Sequence, residues 1–279
     1  MIEALQYAFM RNALLAGILV SIACGVIGTY IVVNRIVFLS GGIAHAAYGG
    51  IGLAYFLGLP PVWGAIGFSL LASLGMGWAQ RKTRQRADTL IGVMWAIGMA
   101  FGIILLDLTP GYKADLMSYL FGSILAVPTG DLILMAVLDG IILLVVTLLY
   151  KELLAISFDE TFAAVQNVPV DALYLLLVCL IGLTVVMMMR VVGLIMVIAL
   201  LTIPAAISAQ WVHSLRRAMV LAAGLAVLFS VIGLGVSYAL NLTSGASIIM
   251  VAGVGYLVSL AGMRWRTKKA AARVILSEG

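Results

Sequence analysis

IVFLSGGIAHAAYGGIGLAYFL, residues Ile36–Leu57, is apolar enough to cross a bilayer yet carries a histidine well inside it. Counting from Arg35 at about 1.5 Å per helical residue sets His45 about 15 Å deep, near the midplane of a hydrocarbon layer ~30 Å thick. Gly41, Gly42, Ala44, Ala46, Ala47, Gly49 and Gly50 surround it. Small residues let a neighbouring helix or a passing solute come close to the backbone. A ligand-type side chain in such a sleeve lies on a transport path or simply hydrogen-bonds to a neighbouring helix. On the residues alone both readings stand, with Gly41 and Gly49 as candidate path-lining positions.

The rest of the chain has the same character. Of 279 residues, 64% are hydrophobic and only 10% are charged, which no soluble globular domain matches. The net charge of +5 comes from basic residues at the ends of apolar runs. Their natural partner is anionic lipid headgroup, not nucleic acid. Cys24 and Cys179 both fall inside apolar runs, so they form no disulfide in an aqueous loop. Met187, Met188 and Met189 read as packing residues. Glu3 and the lack of a basic region before the first apolar stretch argue against a cleavable signal peptide.

Nine apolar runs are expected to span: residues 13–33, 36–57, 62–80, 89–106, 132–150, 172–189, 192–208, 218–240 and 248–263. Met1–Met10 reads as an amphipathic lead-in. Residues 116–127 are too short to cross and suit an interfacial or re-entrant segment. The densest basic loop holds Arg81, Lys82, Arg84 and Arg86. With that loop cytoplasmic, Arg35, Lys151, Arg216, Arg217 and the tail residues Arg264, Arg266, Lys268, Lys269 and Arg273 are cytoplasmic too. Lys113 and Arg190 fall outside. The count holds only if 116–127 does not cross. The expectation is an all-α polytopic membrane protein of about nine transmembrane helices, N-terminus outside and C-terminus cytoplasmic. It is one membrane domain over residues 1–279 with a basic tail at 264–279.

Three features bear on function. FDETFAAVQNVPVD, Phe158–Asp171, predicts a short helix with Asp159 and Glu160 at its positive N-terminal end. Phe162, Ala163, Ala164 and Val165 give it a small apolar face. Such a helix across the cytoplasmic mouth suits docking of an engine protein, or is a plain interfacial helix. VGLIMVIALLTIPAAISAQ, Val192–Gln210, holds Pro204 in a helical run, where proline frees a carbonyl and kinks the helix. It is either a second wall of a path or a packing kink. Asp139, in LMAVLDGIILL, is costly near mid-membrane, about 2.5–3.5 kcal/mol on insertion scales. It is an ion ligand or a buried hydrogen-bonding residue. No Gly-Lys dipeptide occurs, so there is no phosphate-binding loop for ATP. With only His45 and His213, and no HExxH or Ser-His-Asp set, enzyme chemistry is not expected.

Several stretches, in order, resemble one family: the membrane permease subunit of ABC importers for zinc, manganese or iron. They are YIVVNRIVFLSGGIAHAAYGGIGLAY from Tyr30, DTLIGVMWAIGMAFGIIL from Asp88, FDETFAAVQNVPV from Phe158, VGLIMVIALLTIPAAISAQ from Val192 and SYALNLTSGASIIMVAGVGYLVSL from Ser237. The resemblance covers nearly the whole chain. It implies a permease homodimer in a prokaryotic plasma membrane, two cytoplasmic ATP-binding subunits and an extracytoplasmic metal-binding protein. Divalent metal would be the cargo, passed by alternating access, with no permanently bound cofactor. His45 matches the family's pore histidine. Phe158, Asp159, Glu160, Phe162 and Val165 fall in the coupling helix, within 158–168. Three positions depart from the pattern. Gly41 stands where an aspartate is common, and Asn241 and Thr243 stand where Asp and Pro are frequent. Loss of that carboxylate weakens a preference for Mn²⁺ over Zn²⁺, with Asp139 the obvious intramembrane substitute. A permease for a metal chelate or cofactor, or a stand-alone secondary transporter, are the alternative readings.

Overall fold

The computed structural model describes residues 6–82, 87–110, 122–194 and 197–277. Eleven α-helices form among them: α1 Ala8–Val33, α2 Val37–Phe56, α3 Pro61–Lys82, α4 Ala87–Leu108, α5 Thr129–Leu148, α6 Tyr150–Phe158, α7 Glu160–Val165, α8 Val170–Val191, α9 Val197–Trp211, α10 Leu215–Leu240 and α11 Ser244–Ser277. The breaks are chemically legible. Pro61 starts α3, Pro128 precedes α5 and Pro169 precedes α8, each a residue that cannot continue a helix from its N-terminal side. Asp88, Asp131, Glu152, Glu160 and Asp171 sit in first turns, facing the positive end of the helix dipole. Asn241 closes α10 with φ +57, a left-handed geometry that asparagine tolerates.

All nine expected spans are helices. Eight of them are long and apolar enough to cross a membrane, while α9, over the seventh run, is shorter. It starts at Val197 rather than near 192 because the chain turns at Gly193, φ +78, after α8. The polar stretch after Tyr150 holds two helices, α6 and α7, not one. The ninth span runs on as α11 to Ser277, so the basic tail continues the helix. Glu3, Arg84, Arg86, Lys113 and residues 116–121 lie outside the described residues, as do the side chains of Arg190 and 266–277.

α1, α2 and α8 are the most enclosed spans, and α4 and α11 keep most of their surface outside. Outward-facing Ile97, Ile104, Ile133, Leu144, Met250 and Leu257 fit contact with lipid tails. In an apolar solvent, helix association relies on close packing rather than on the hydrophobic effect. The backbones accordingly meet at small residues. α2 runs antiparallel to α3, with Gly50 against Gly64 and Gly42 against Met76. α2 runs parallel to α4, with Gly42 against Ile91, Ala46 against Gly98 and Gly52 against Gly102. α1 pairs antiparallel with α10 through Gly25 and Ala223 and a 3.2 Å hydrogen bond between Ser21 and Ser230.

The described part of 116–127 packs inside the bundle. Gly122, φ +70, lies against the backbone of Val191–Gly193, and Ile124, 1% exposed, reaches Gly17. Val127 then accepts a hydrogen bond from Asn12 Nδ2 at 3.3 Å, beside the start of α5. α4 runs parallel to α2, and the start of α5 lies beside Asn12 at the start of α1, so α4 ends at the end of the bundle where α5 begins.

A methyl group on Gly50 would run into the Gly64 carbonyl, whereas one on Gly67 would meet nothing within 4 Å. Gly50→Ala is expected to destabilise the protein by about 1–3 kcal/mol, the usual range for overpacking. Gly67→Ala should be neutral. Thermal melting of both variants in detergent checks this, and equal melting temperatures would contradict the packing described.

Candidate functional site

His45 sits on the α2 face that meets α4. Its ring stacks on Trp95, with centroids 4.0 Å apart and planes 12° from parallel. Its Nδ1 lies 3.2 Å from Met99 Sδ. Trp95 and Met99 are four residues apart and so share one face of α4. A thioether can only accept. The contact therefore places the imidazole proton on Nδ1 and leaves Nε2 with a free lone pair, the form that ligates a metal. The residue as a whole is partly exposed. Sequence reading missed Trp95 and Met99. Their i, i+4 spacing was visible, but nothing local says which helix that face meets.

Two of the residues singled out as path-lining lie near α9. Gly41 packs against Ile198 of α9. A side chain at 41 meets only the far end of a flexible isoleucine, so the aspartate common in the family would need Ile198 to swing away. Pro204 is buried within α9, one helical turn after Leu200, whose carbonyl it deprives of its usual donor. Gly49 lies between α3 and α4, against Phe68 and the Gly98 carbonyl, so within one chain it serves helix contact. Asp139 is 4% exposed on α5 with neither carboxylate oxygen hydrogen-bonded, whereas His45 has its partners on α4. Among the described residues no three of His, Cys, Asp or Glu gather as a metal cluster.

At one end of the bundle, the expected short helix forms as α7. Asp159 caps it, its Oδ1 accepting from Phe162 N–H at 2.9 Å. Ala163 is fully buried, while Phe158, Phe162 and Val165 are 67%, 59% and 75% exposed. Three large apolar side chains presented by so short a segment make an unpartnered contact surface. Arg81 at the end of α3 ties this segment down. Its guanidinium donates to both Glu160 carboxylate oxygens, at 3.2 and 3.3 Å, and to Asp171 Oδ1 at the start of α8. It also lies 4.9 Å above the Tyr174 ring, whose hydroxyl donates to Gln80 at 2.7 Å. The forked guanidinium suits such two-carboxylate bridging. Sequence reading took Arg81 as an orientation signal only, because its partners lie 79 and 90 residues away.

The profile of the ABC 3 transport family matches residues 6–263. The chain is 61% identical to the uncharacterized membrane protein slr2045 of Synechocystis sp. over 95% of its own length and 94% of the relative's. It is 34% identical to the manganese transport system membrane protein MntC of Listeria monocytogenes, over 91% of each. Among solved structures, it superposes on a chain of PsaBC from Streptococcus pneumoniae, determined in complex with Fab. The TM-score is 0.84 with 34% identity, covering 92% of this chain and 93% of the other. This likeness runs the length of the bundle, through α2, α7 and α9 alike: the chain belongs to the ABC 3 transport family of membrane permeases.

Proposed function

We propose that this chain is the membrane permease of an ATP-driven importer for a divalent metal ion, zinc, manganese or iron. The observation that carries the reading is its full-length likeness to permeases named for manganese. Two protomers would form the path between them in a prokaryotic plasma membrane, with N-termini outside and C-termini in the cytoplasm. Cytoplasmic ATP-binding subunits and an extracytoplasmic metal-binding protein would complete the complex.

In this reading His45 Nε2 is a cargo ligand. A neutral imidazole suits Zn²⁺, Mn²⁺ and Fe²⁺, and a site of passage must bind weakly enough to release. Gly41, Gly49 and Pro204 lie along the same helices, and Gly41 with α9 forms the near wall. Asp139, buried without a hydrogen-bond partner, is a second candidate ligand. α7 is the coupling helix. Phe158, Phe162 and Val165 enter a cleft of the ATP-binding subunit, and Asp159 keeps the helix wound. Through Glu160, Arg81 and Asp171, a shift of α7 moves the ends of α3 and α8 together, and α3 packs directly on α2.

Metal uptake by proteoliposomes holding the assembled complex tests the site. His45→Ala is expected to lower ATP-dependent uptake at least tenfold at unchanged assembly. Uptake that survives the substitution removes His45 as a ligand. Uptake without ATP by this chain alone favours a stand-alone carrier, and a competent complex that moves only chelated metal favours the chelate reading.

Arg81→Gln is expected to cut metal moved per ATP hydrolysed several-fold while the ATP-binding subunits still copurify. Arg81→Lys, which keeps the charge but not the fork, should recover only part of it. Unchanged stoichiometry in Arg81→Gln would discard the clamp as a coupling element.

A further inference from the structure

We propose that the outer face of α10 holds one anionic phospholipid, its phosphate on Arg216 and Arg217 and an acyl chain in the groove below them. An open groove of about 760 Å³ runs along α10 from the two arginines past Val220 and Gly224 to Leu228. Below Arg217 its lining is wholly apolar, and Val220 and Leu228 are 70% and 50% exposed. Neither arginine has an ion-pair partner among the described residues, where Arg81 takes both pairs. Gly224 shapes the groove. At Gly25, Gly50 and Gly98 the missing side chain admits a neighbouring backbone, but at Gly224 a side chain would meet nothing of the described chain within 4 Å.

The dimensions and the charge select a lipid. α10 runs antiparallel to α1, and Asn34, just past the end of α1, donates to Ser157 Oγ at 3.1 Å, one residue from Phe158 of the α7 segment. Arg216 and Arg217 therefore lie at the α7 end of the bundle. From there to Leu228 the helix rises about 18 Å, close to half of a ~30 Å hydrocarbon layer. A lipid of one leaflet spans that depth with its headgroup level with the arginines. Each guanidinium forks onto phosphate oxygens, and the pair favours an anionic headgroup over a zwitterionic one. A water-soluble protein reaches the arginines but not Leu228. A second copy in the same orientation, meeting face to face, would set the arginines against their own like charges. Gly224 also has Val220 and Leu228 one turn away on either side, not the small residues of a close helix pair. α10 packs on α1, α9 and α11, whereas His45 faces α4. The proposal takes from the import reading only the leaflet, the cytoplasmic one, and its test reads lipid binding alone.

The test is native mass spectrometry of the full-length protein, delipidated in mild detergent and titrated with phosphatidylglycerol or phosphatidylcholine. One tightly held phosphatidylglycerol per chain is expected, at least tenfold tighter than phosphatidylcholine. Arg216→Gln with Arg217→Gln should weaken it at least tenfold. Lys82→Gln with Lys151→Gln, which removes the same charge elsewhere at that end, should leave it within twofold. Gly224→Leu fills the groove and should weaken binding several-fold, while Gly67→Leu, at an equally open glycine of α3, should not. Phosphatidylglycerol should raise the melting temperature of the parent and not of the double arginine variant. Equal affinity for the two lipids overturns the proposal, as does an equal loss in both charge variants, which would mean a diffuse field and no site. Unchanged binding in Gly224→Leu removes the groove from it. Full displacement of the lipid by glycerol phosphate would make this a free-phosphate site, and loss of a dimer in Gly224→Leu would make the face an interface between copies; either result overturns the lipid assignment.

Discussion

Bare backbone contact around α2 is the constraint on which the structure depends. In lipid, an apolar side chain gains little by leaving the tails for another helix, so close packing must hold the bundle. α2 presents glycine or alanine to α4 at 42, 46 and 52 and to α3 at 50. Those at 46, 50 and 52 are backbone approaches on one side of His45, while Gly42 on the other side receives the side chains of Ile91 and Met76. The imidazole between them stacks on Trp95 and meets Met99. The sleeve of small residues is first a device for helix approach, and its effect on His45 follows from that.

Polar interactions are concentrated where the apolar medium ends. The two ion pairs found among the described residues both involve Arg81, at the last turn of α3. Buried hydroxyls within the bundle mostly close on their own helix, as Thr29 does on Gly25 and Thr184 on Leu180. This satisfies the group without tying one helix to another. The transmembrane helices are thus joined by shape, and the α7 end by charge.

Run length and turn chemistry made the helices legible in the sequence. Apolar stretches of about twenty residues, separated by Asn34-Arg35, Pro60-Pro61 or Pro128, leave little choice in a bilayer. Asp159 and Glu160 announced α7 as acidic residues at its positive end, and the structure adds that Asp159 caps it. The parts that escaped are those fixed by distant partners. Gly193 shortens α9 through a turn packed on Gly122, and that pairing joins residues 71 apart in sequence. Trp95 and Met99 lay in plain view at helical spacing, but the sequence holds no statement of which neighbour their face meets. Asp139 shows the same limit: its chemistry marked it as special, and only the packing of α5 leaves it buried without a hydrogen-bond partner.

The partner chosen for His45 has a chemical consequence. Metal-binding histidines commonly donate their second N–H to a carboxylate or a carbonyl, which orients the ring and raises its basicity. A thioether orients the ring through the same geometry but is a weak acceptor, so it adds little basicity. Trp95 supplies the rest of the orientation by stacking. The result is an imidazole oriented by a stack and one contact to sulfur. A resident metal site would call for a stronger acceptor behind the ring. Were His45 the cargo ligand proposed above, a fixed and weakly binding nitrogen would let an ion exchange one water for protein and then leave.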